Sequence, residues 1–195
     1  MLRVEGLAPN AGDSALTFDI PNGRCVGLLG RDVRALRQIA ECVCGIRVPA
    51  AGRILIDDLD IQRDQDHARR KIAVSFPGTA HRLTTLGEHA GVIARTRPSR
   101  ITAAAAIARL GLDAKMQLAT PATKAAAALV AALLPDAALV VLHDPFRNLE
   151  NEVRVKAIDW IRSVSDSGTS LLVTGTEERD VRAVGHSVIE TGAGR

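Results

Sequence analysis

CVGLLGRDVRALRQIAECVCG, residues 25–45, is the stretch that decides the predicted fold. Its first five residues form a short apolar run, which is typical of a buried parallel strand. Gly30 follows this run, and apolar residues then recur at helical spacing from position 33 to position 43. Gly45 is a typical residue at a helix end. The stretch therefore predicts a strand, a turn and a helix in direct succession.

Comparable apolar runs recur along the rest of the chain. They predict strands at residues 2–7, 15–20, 138–142, 171–173 and 188–189. Between the early and the late strands, residues 86–134 are rich in Ala and Leu with helical periodicity, which Gly111 and Pro121 interrupt. Short apolar strands that alternate with helices predict an α/β core with parallel strands and right-handed crossovers, into which a helical lobe is inserted.

The composition excludes several classes of function. The 195 residues are 47% hydrophobic and 24% charged, which predicts one globular domain, and a net charge of +3 is too small to indicate a nucleic-acid partner. Tyrosine is absent, and four other aromatic residues leave no platform for stacking bases. We find neither a signal-peptide pattern nor an apolar run of about 18 residues, so we expect a cytoplasmic protein without its own membrane anchor.

A glycine between a buried strand and a helix is a common phosphate site, because free backbone N–H groups and the helix dipole converge there. The Walker A form of such a loop is G-x-x-x-x-G-K-[ST]. Gly30 matches its first glycine, but Ala35, Leu36 and Arg37 stand at the positions of the second glycine, the lysine and the Ser/Thr. The sequence therefore predicts only the remnant of a phosphate loop. Its candidate residues are Gly30, Arg31, Arg34, Leu36, Arg37 and Gln38.

The order of several further stretches resembles an ABC-transporter nucleotide-binding domain over most of the chain. These stretches are residues 23–30, 44–49, 51–57, 110–112, 139–145 and 168–172. The resemblance implies a P-loop-like ABC ATPase core with a twisted, mostly parallel sheet, N-terminal antiparallel strands and a small inserted helical lobe. It implies one domain over residues 1–195, with its core at 1–85 and 136–195 and the lobe at about 86–135.

The residues that this family uses for ATP chemistry are replaced. Pro77 stands at the position that resembles the Q-loop glutamine, and residues 118–122, LATPA, replace the signature sequence. His143 stands where the resemblance implies the Walker B acid of the magnesium shell, and Asp144 where it implies the glutamate that polarises water. Thr176 replaces the switch histidine, and residues 9–12 lack the aromatic residue that would stack on adenine.

Phosphoryl transfer depends on positioning and on charge neutralisation, so we expect neither ATP hydrolysis nor a catalytic residue, a bound metal or a cofactor. A weak or unconventional ATP-binding or ATPase subunit is the alternative, with ATP or Mg²⁺ retained. Arg31, Arg34 and Arg37 raise a further alternative, in which they hold an anion without hydrolysing it. We favour solvated arginines, because Ala35 disfavours the left-handed backbone of a phosphate cradle.

The favoured function is that of a catalytically dead subunit, structural or regulatory, in a transport-type membrane complex. The resemblance implies that a permease helix docks near Phe76–Arg97, and Phe76, Leu86 and Val92 are predicted to form this partner groove. The implied partners are an ABC permease, an intact ABC ATPase subunit or both, with homo- or heterodimer formation. The protein would then lie at the inner face of the cell membrane through its partner.

Overall fold

The computed structural model describes residues 1–76 and 85–192, which form two sheets and the helices around them. The strands are β1 (Leu2–Ala8), β2 (Leu16–Ile20), β3 (Cys25–Leu29), β4 (Ala51–Ile56), β5 (Leu59–Asp60), β6 (Ile72–Ser75), β7 (Leu139–His143), β8 (Ser170–Gly175) and β9 (Ser187–Glu190). The helices are α1 (Val33–Val43), α2 (Gln65–Arg70), α3 (Leu86–Thr96), α4 (Ala103–Arg109), α5 (Pro121–Leu133), α6 (Asn151–Asp166) and α7 (Glu178–Val184).

The larger sheet is parallel, with the strand order β6-β7-β8-β3-β9 among the described residues. The predicted adjacency of β3, β7 and β8 is confirmed, and every residue of β7 and β8 is buried. In the pairing register, His143 lies opposite Thr174, and Leu29 lies opposite Gly175. The carboxyl ends of these three strands therefore meet at one edge of the sheet, where ligands of open α/β sheets bind.

The smaller sheet is antiparallel, with the order β2-β1-β4-β5, which confirms the implied N-terminal antiparallel strands. Helix α1 lies between the two sheets, because it contacts β1 as well as β7 and β8. Its buried residues share one cluster with apolar side chains of both sheets. Each fully buried large aliphatic side chain of this kind contributes about 1.5–3 kcal/mol of hydrophobic stabilisation, so α1 is firmly anchored.

The opposite face of the parallel sheet is covered by helices, including those predicted between residues 86 and 134. Helix α3 begins at a capping box, in which the Glu88 N–H donates to the Thr85 hydroxyl and the Thr85 N–H donates to the Glu88 carboxylate. Helix α5 packs directly against β6 and β7. The boundary between a core and a lobe at residue 86 stays a prediction.

No helix in the described part of the chain combines the length and the apolar character that crossing a membrane requires.

Candidate functional site

The loop after β3 ends in a helix cap that the sequence analysis missed. Helix α1 starts at Val33, and Asp32 is its N-cap residue. The Asp32 Oδ1 accepts hydrogen bonds from the N–H groups of Arg34 at 2.8 Å and Ala35 at 3.2 Å. The Asp32 carboxylate therefore accepts hydrogen bonds from backbone amides of the kind that bind a phosphate at a helix start. An aspartate directly before a periodic apolar run is the sequence signal that could have identified this cap.

Leu36, at the position of the Walker A lysine, faces the core. Its side chain is only 1% exposed and belongs to the cluster between the two sheets. A Cβ added to Gly30 would lie 2.3 Å from the Thr191 Oγ1 and 3.3 Å from the Leu36 Cδ2. The Thr191 hydroxyl and N–H both donate to the Leu29 carbonyl, at 3.2 and 2.8 Å. Thr191 and Leu36 therefore pack closely around Gly30 and leave no room for a Cβ there.

Arg37, at the position of the Walker A Ser/Thr, is held by interactions within the protein. Its Nε lies 2.9 Å from the Glu41 Oε1, and its Cζ lies 5.6 Å from the centre of the Phe76 ring. Glu41 also accepts from the Arg47 Nε at 3.3 Å. The hydrogen bond from Arg37 holds the pKa of Glu41 below its usual value. The guanidinium of Arg37 is thus committed to a carboxylate and an aromatic ring.

His143, at the position of the Walker B acid, is 2% exposed. Its Nδ1 lies 2.8 Å from the Thr174 Oγ1, and its ring centre lies 5.8 Å from that of Phe76. Burial, followed by the positive charge of Arg37, lowers the pKa of His143 to about 4. The imidazole is therefore neutral at physiological pH, and it brings no negative charge to the position where a magnesium shell would need one.

Asp144 follows β7 in a left-handed backbone conformation, with φ of 46°. Its N–H donates to the Thr174 carbonyl at 2.7 Å, which fixes the turn against β8. Burial raises the pKa of its carboxyl above the usual value, although the Arg147 guanidinium, 3.8 Å away, opposes this shift. Asp144 is thus placed at the sheet edge where the resemblance puts it, beside a neutral histidine.

Gln38 and the turn before β2 are tied together. The Gln38 Oε1 accepts from the Asn10 Nδ2 at 2.9 Å, and both nitrogens of Asn10 donate to the Asp13 Oδ2 at 2.9 Å. These bonds join helix α1 to the segment in which the sequence lacks a stacking aromatic residue. The polar side chain predicted in the phosphate loop therefore has a structural partner.

The segment that replaces the signature sequence forms the start of α5. Thr120 is the N-cap residue and Pro121 occupies the first turn. The Thr123 N–H donates to the Thr120 Oγ1, and the Thr120 N–H donates to the Thr123 Oγ1, both at 3.1 Å. This helix start, like that of α1, is capped by the chain's own side chains.

Arg31 and Arg34, the anion ligands of the less favoured alternative, are exposed, and within the described residues neither forms an ion pair. Two predictions for the partner groove need correction. Leu86 is 0% exposed and Phe76 is also buried, because both pack into the hydrophobic clusters beside the parallel sheet. Only Val92 is partly exposed. Pro77 lies outside the described residues.

Sequence comparison connects the chain to known proteins, although no family model matches it. It is 26% identical over 187 residues to the Nod factor export ATP-binding protein I of Bradyrhizobium diazoefficiens, covering 89% of this chain and 61% of that protein. The chain thus spans less than two thirds of that relative. It is 24% identical over 204 residues to a putative ABC transporter ATP-binding protein of Halobacterium salinarum, covering 97% of this chain and 88% of that protein.

The fold also matches solved structures. A dimeric ATP-binding cassette, solved in a post-hydrolysis state with ADP and Pi, superposes with a TM-score of 0.83 at 16% identity, covering 100% of this chain and 95% of that one. A TM-score of this size over the whole chain shows that the two proteins share a fold. The chain is therefore similar in sequence to ATP-binding proteins of ABC transporters and has the ABC ATPase fold.

Proposed function

We propose that this chain is an ABC-type domain that neither binds Mg-ATP tightly nor hydrolyses it, and that it acts as a structural or regulatory subunit of a transport-type membrane assembly. The observation that carries the proposal is the Asp32 carboxylate on the first amides of α1. A phosphate brought to these amides meets a negative charge already in place. At about 4 Å, two like unit charges repel by roughly 4 kcal/mol for an effective dielectric constant of 20.

The residues around the expected magnesium position do not fit the ion either. Arg37 and His143 contact the same Phe76 ring, so a guanidinium lies in the region where the family resemblance implies a hydroxyl and a carboxylate. Mg²⁺ prefers oxygen ligands in octahedral geometry and is repelled by a nearby cation. We therefore derive no phosphoryl-transfer step for this site.

A chain that keeps this fold without the residues for ATP chemistry can still serve through its contacts with other subunits. We therefore propose a role in an assembly. The relatives named above are ATP-binding proteins of transporters, and one solved homologue of this fold is a dimer. By analogy, the partners proposed here are an ABC permease, an intact ABC ATPase subunit or both, at the inner face of the membrane. Because no nucleotide is needed to fix the loop after β3, the assembly should form without ATP.

A turnover assay on the purified chain tests the catalytic part of this proposal. We expect no phosphate release from Mg-ATP above that of a protein-free blank. The Asp144→Ala variant is the matched control. The resemblance implies that Asp144 stands at the position of the glutamate that polarises water, so any turnover of this kind should depend on its carboxylate. Turnover in the wild type that disappears in Asp144→Ala would show a weak ATPase and overturn the proposal.

A further inference from the structure

A small cavity lies at the amino ends of β7 and β8, on the opposite side of the parallel sheet from the loop after β3. It has a volume of about 130 Å³. Pro135 and Asp136 line it shortly before β7, and Thr169 lines it directly before β8. The last turns of α4 and α5 and the second half of α6 enclose the rest. Because ligands of open α/β sheets bind at the carboxyl ends of the strands, this cavity is separate from the candidate site described above.

Two polar side chains in the wall of this cavity are buried without a protein partner. Trp160 is only 3% exposed and Thr169 only 6%, and both line the cavity. Within residues 1–76 and 85–192, neither the indole N–H of Trp160 nor the hydroxyl of Thr169 makes a hydrogen bond. Buried polar groups in native proteins nearly always have a partner. A molecule inside the cavity can therefore supply the partner that the chain does not.

Two guanidinium groups also line the cavity, and only one of them is neutralised. The Arg100 Nε lies 2.9 Å from the Asp136 Oδ1, and its Nη1 donates to the Ser167 carbonyl at 3.2 Å. The Arg109 guanidinium donates to the Ser163 hydroxyl at 3.3 Å and has no carboxylate partner among the described residues. A guanidinium has five N–H groups, so most of those of Arg109 are available to a ligand.

The charge of the lining favours a monoanion. Arg100 and Arg109 bring two positive charges and Asp136 brings one negative charge, which leaves a net charge of +1. Arg109 is the last residue of α4, and its full charge exceeds the partial charge of about one half at a helix end. A guanidinium binds a carboxylate through two parallel hydrogen bonds. A carboxylate therefore fits this lining better than a dianion such as phosphate.

The size and the walls of the cavity restrict what carries the carboxylate. An apolar cavity of about 150 Å³ is large enough for benzene, so this one suits a molecule of about six or seven non-hydrogen atoms. Apart from the polar groups, its walls are aliphatic and consist of Ile101, Leu133, Leu134, Pro135 and Val164. Such walls favour a short hydrocarbon body over a peptide backbone, whose polar groups would lose their partners there.

We propose that this cavity binds a small aliphatic carboxylic acid as its anion. The carboxylate accepts hydrogen bonds from Arg109 and from the buried donors Trp160 and Thr169, and the hydrocarbon body contacts the aliphatic walls. The bound acid connects α4 with α6. This site goes beyond the proposed function, because it involves neither the loop after β3 nor a protein partner.

The fluorescence of Trp160 tests this inference directly, because Trp160 is the only tryptophan of the chain and tyrosine is absent. Isovalerate, its uncharged amide isovaleramide and inorganic phosphate are titrated into the full chain at constant pH and ionic strength. We expect isovalerate to change the emission saturably and to raise the thermal unfolding midpoint. Isovaleramide should bind at least about tenfold more weakly, and phosphate should have no effect. Equal binding of the acid and the amide, or no response to isovalerate in either measurement, would overturn the proposal.

Variants of the chain locate the site. Arg109→Gln should weaken isovalerate binding by about tenfold or more, whereas Arg95→Gln, which removes the same charge from α3 outside the cavity, should leave it unchanged. Thr169→Val should weaken binding severalfold without destabilising the chain, since the hydroxyl has no partner to lose in the free protein. Circular dichroism shows whether each variant is folded. Unchanged affinity in Arg109→Gln, or equal losses in Arg109→Gln and Arg95→Gln, would contradict the proposed site.

A blocked tetrapeptide that contains glutamate distinguishes a free acid from the carboxylate of a partner protein. The volume of the cavity excludes its backbone, so we expect it to bind at least about tenfold more weakly than isovalerate. Tighter binding of the peptide would contradict the assignment to a small molecule. These assays contain no nucleotide. Failure here leaves the proposal about Mg-ATP standing, and ATP turnover would leave the cavity standing.

Discussion

Asp32 is the N-cap residue of α1, and its energetic contribution is measurable. Removing an N-cap carboxylate leaves the amides of Arg34 and Ala35 without their partner. Asp32→Ala should therefore lower the free energy of unfolding by about 0.5–2 kcal/mol in urea denaturation. Asp32→Asn is the matched control, since Asn caps helices as well as Asp does, and it should cost much less. An unchanged free energy of unfolding in Asp32→Ala would show that the cap is unimportant.

His143 makes stability depend on pH. Its pKa is lowered from 6.5 to about 4 in the folded chain, so the unfolded chain binds the proton first as the pH falls. The resulting stability is fully present above pH 6.5 and is lost as the pH falls from 6.5 towards 4. A shift of this size corresponds to at most about 3 kcal/mol. Urea titrations from pH 7.5 to 4.5 should show this slope in the wild type and a smaller one in His143→Gln; identical slopes would contradict the assignment.

The packing of α7 against β3 explains a glycine within a strand. A Cβ at Gly27 would lie 2.3 Å from the Val181 Cγ1, although the backbone of Gly27 is ordinary for a strand. Gly27→Ala should therefore destabilise the protein by about 1–3 kcal/mol through overpacking. Gly91→Ala in helix α3 is the control, since its Cβ would meet only the flexible end of Arg95 at 3.3 Å. That change should be neutral or stabilising by up to about 1 kcal/mol. Thermal unfolding of both variants distinguishes these outcomes.

The elements that were predicted correctly from sequence are those with strong periodic signals. β3, β7 and β8 are continuous apolar runs, and α1 has a clear apolar face, so their positions followed from pattern alone. β6 and α2 were missed because a four-residue strand and a six-residue polar helix carry too little pattern. The burial of Leu86 was also missed, since the first residue of a helix does not reveal which side will be covered.

The candidate site, too, was predicted only in part from the sequence. The family resemblance placed His143 and Asp144 in the Walker B segment, and the structure has them at the end of β7 and directly after it. The sequence did not reveal that Arg37, Phe76 and His143 lie side by side, since these contacts join three separate elements.

For the whole molecule, we expect an assembly that forms equally well with and without nucleotide. A tagged protein purified from its native host should recover the same partners with and without Mg-ATP, because the loop after β3 is already fixed by Asp32. Partners that appear only with ATP, or a protein recovered as a free monomer, would argue against an assembly role.

The most direct test of the central claim is a calorimetric titration of the purified chain with Mg-ATP, run beside an intact ATP-binding cassette under the same conditions. The intact cassette should show saturable binding heat. We expect this chain to show only the heat of dilution, because Asp32 caps the first amides of α1, and because the buried Leu36 and the paired Arg37 stand where the resemblance implies the Walker A lysine and Ser/Thr. Saturable binding with a micromolar dissociation constant would contradict it.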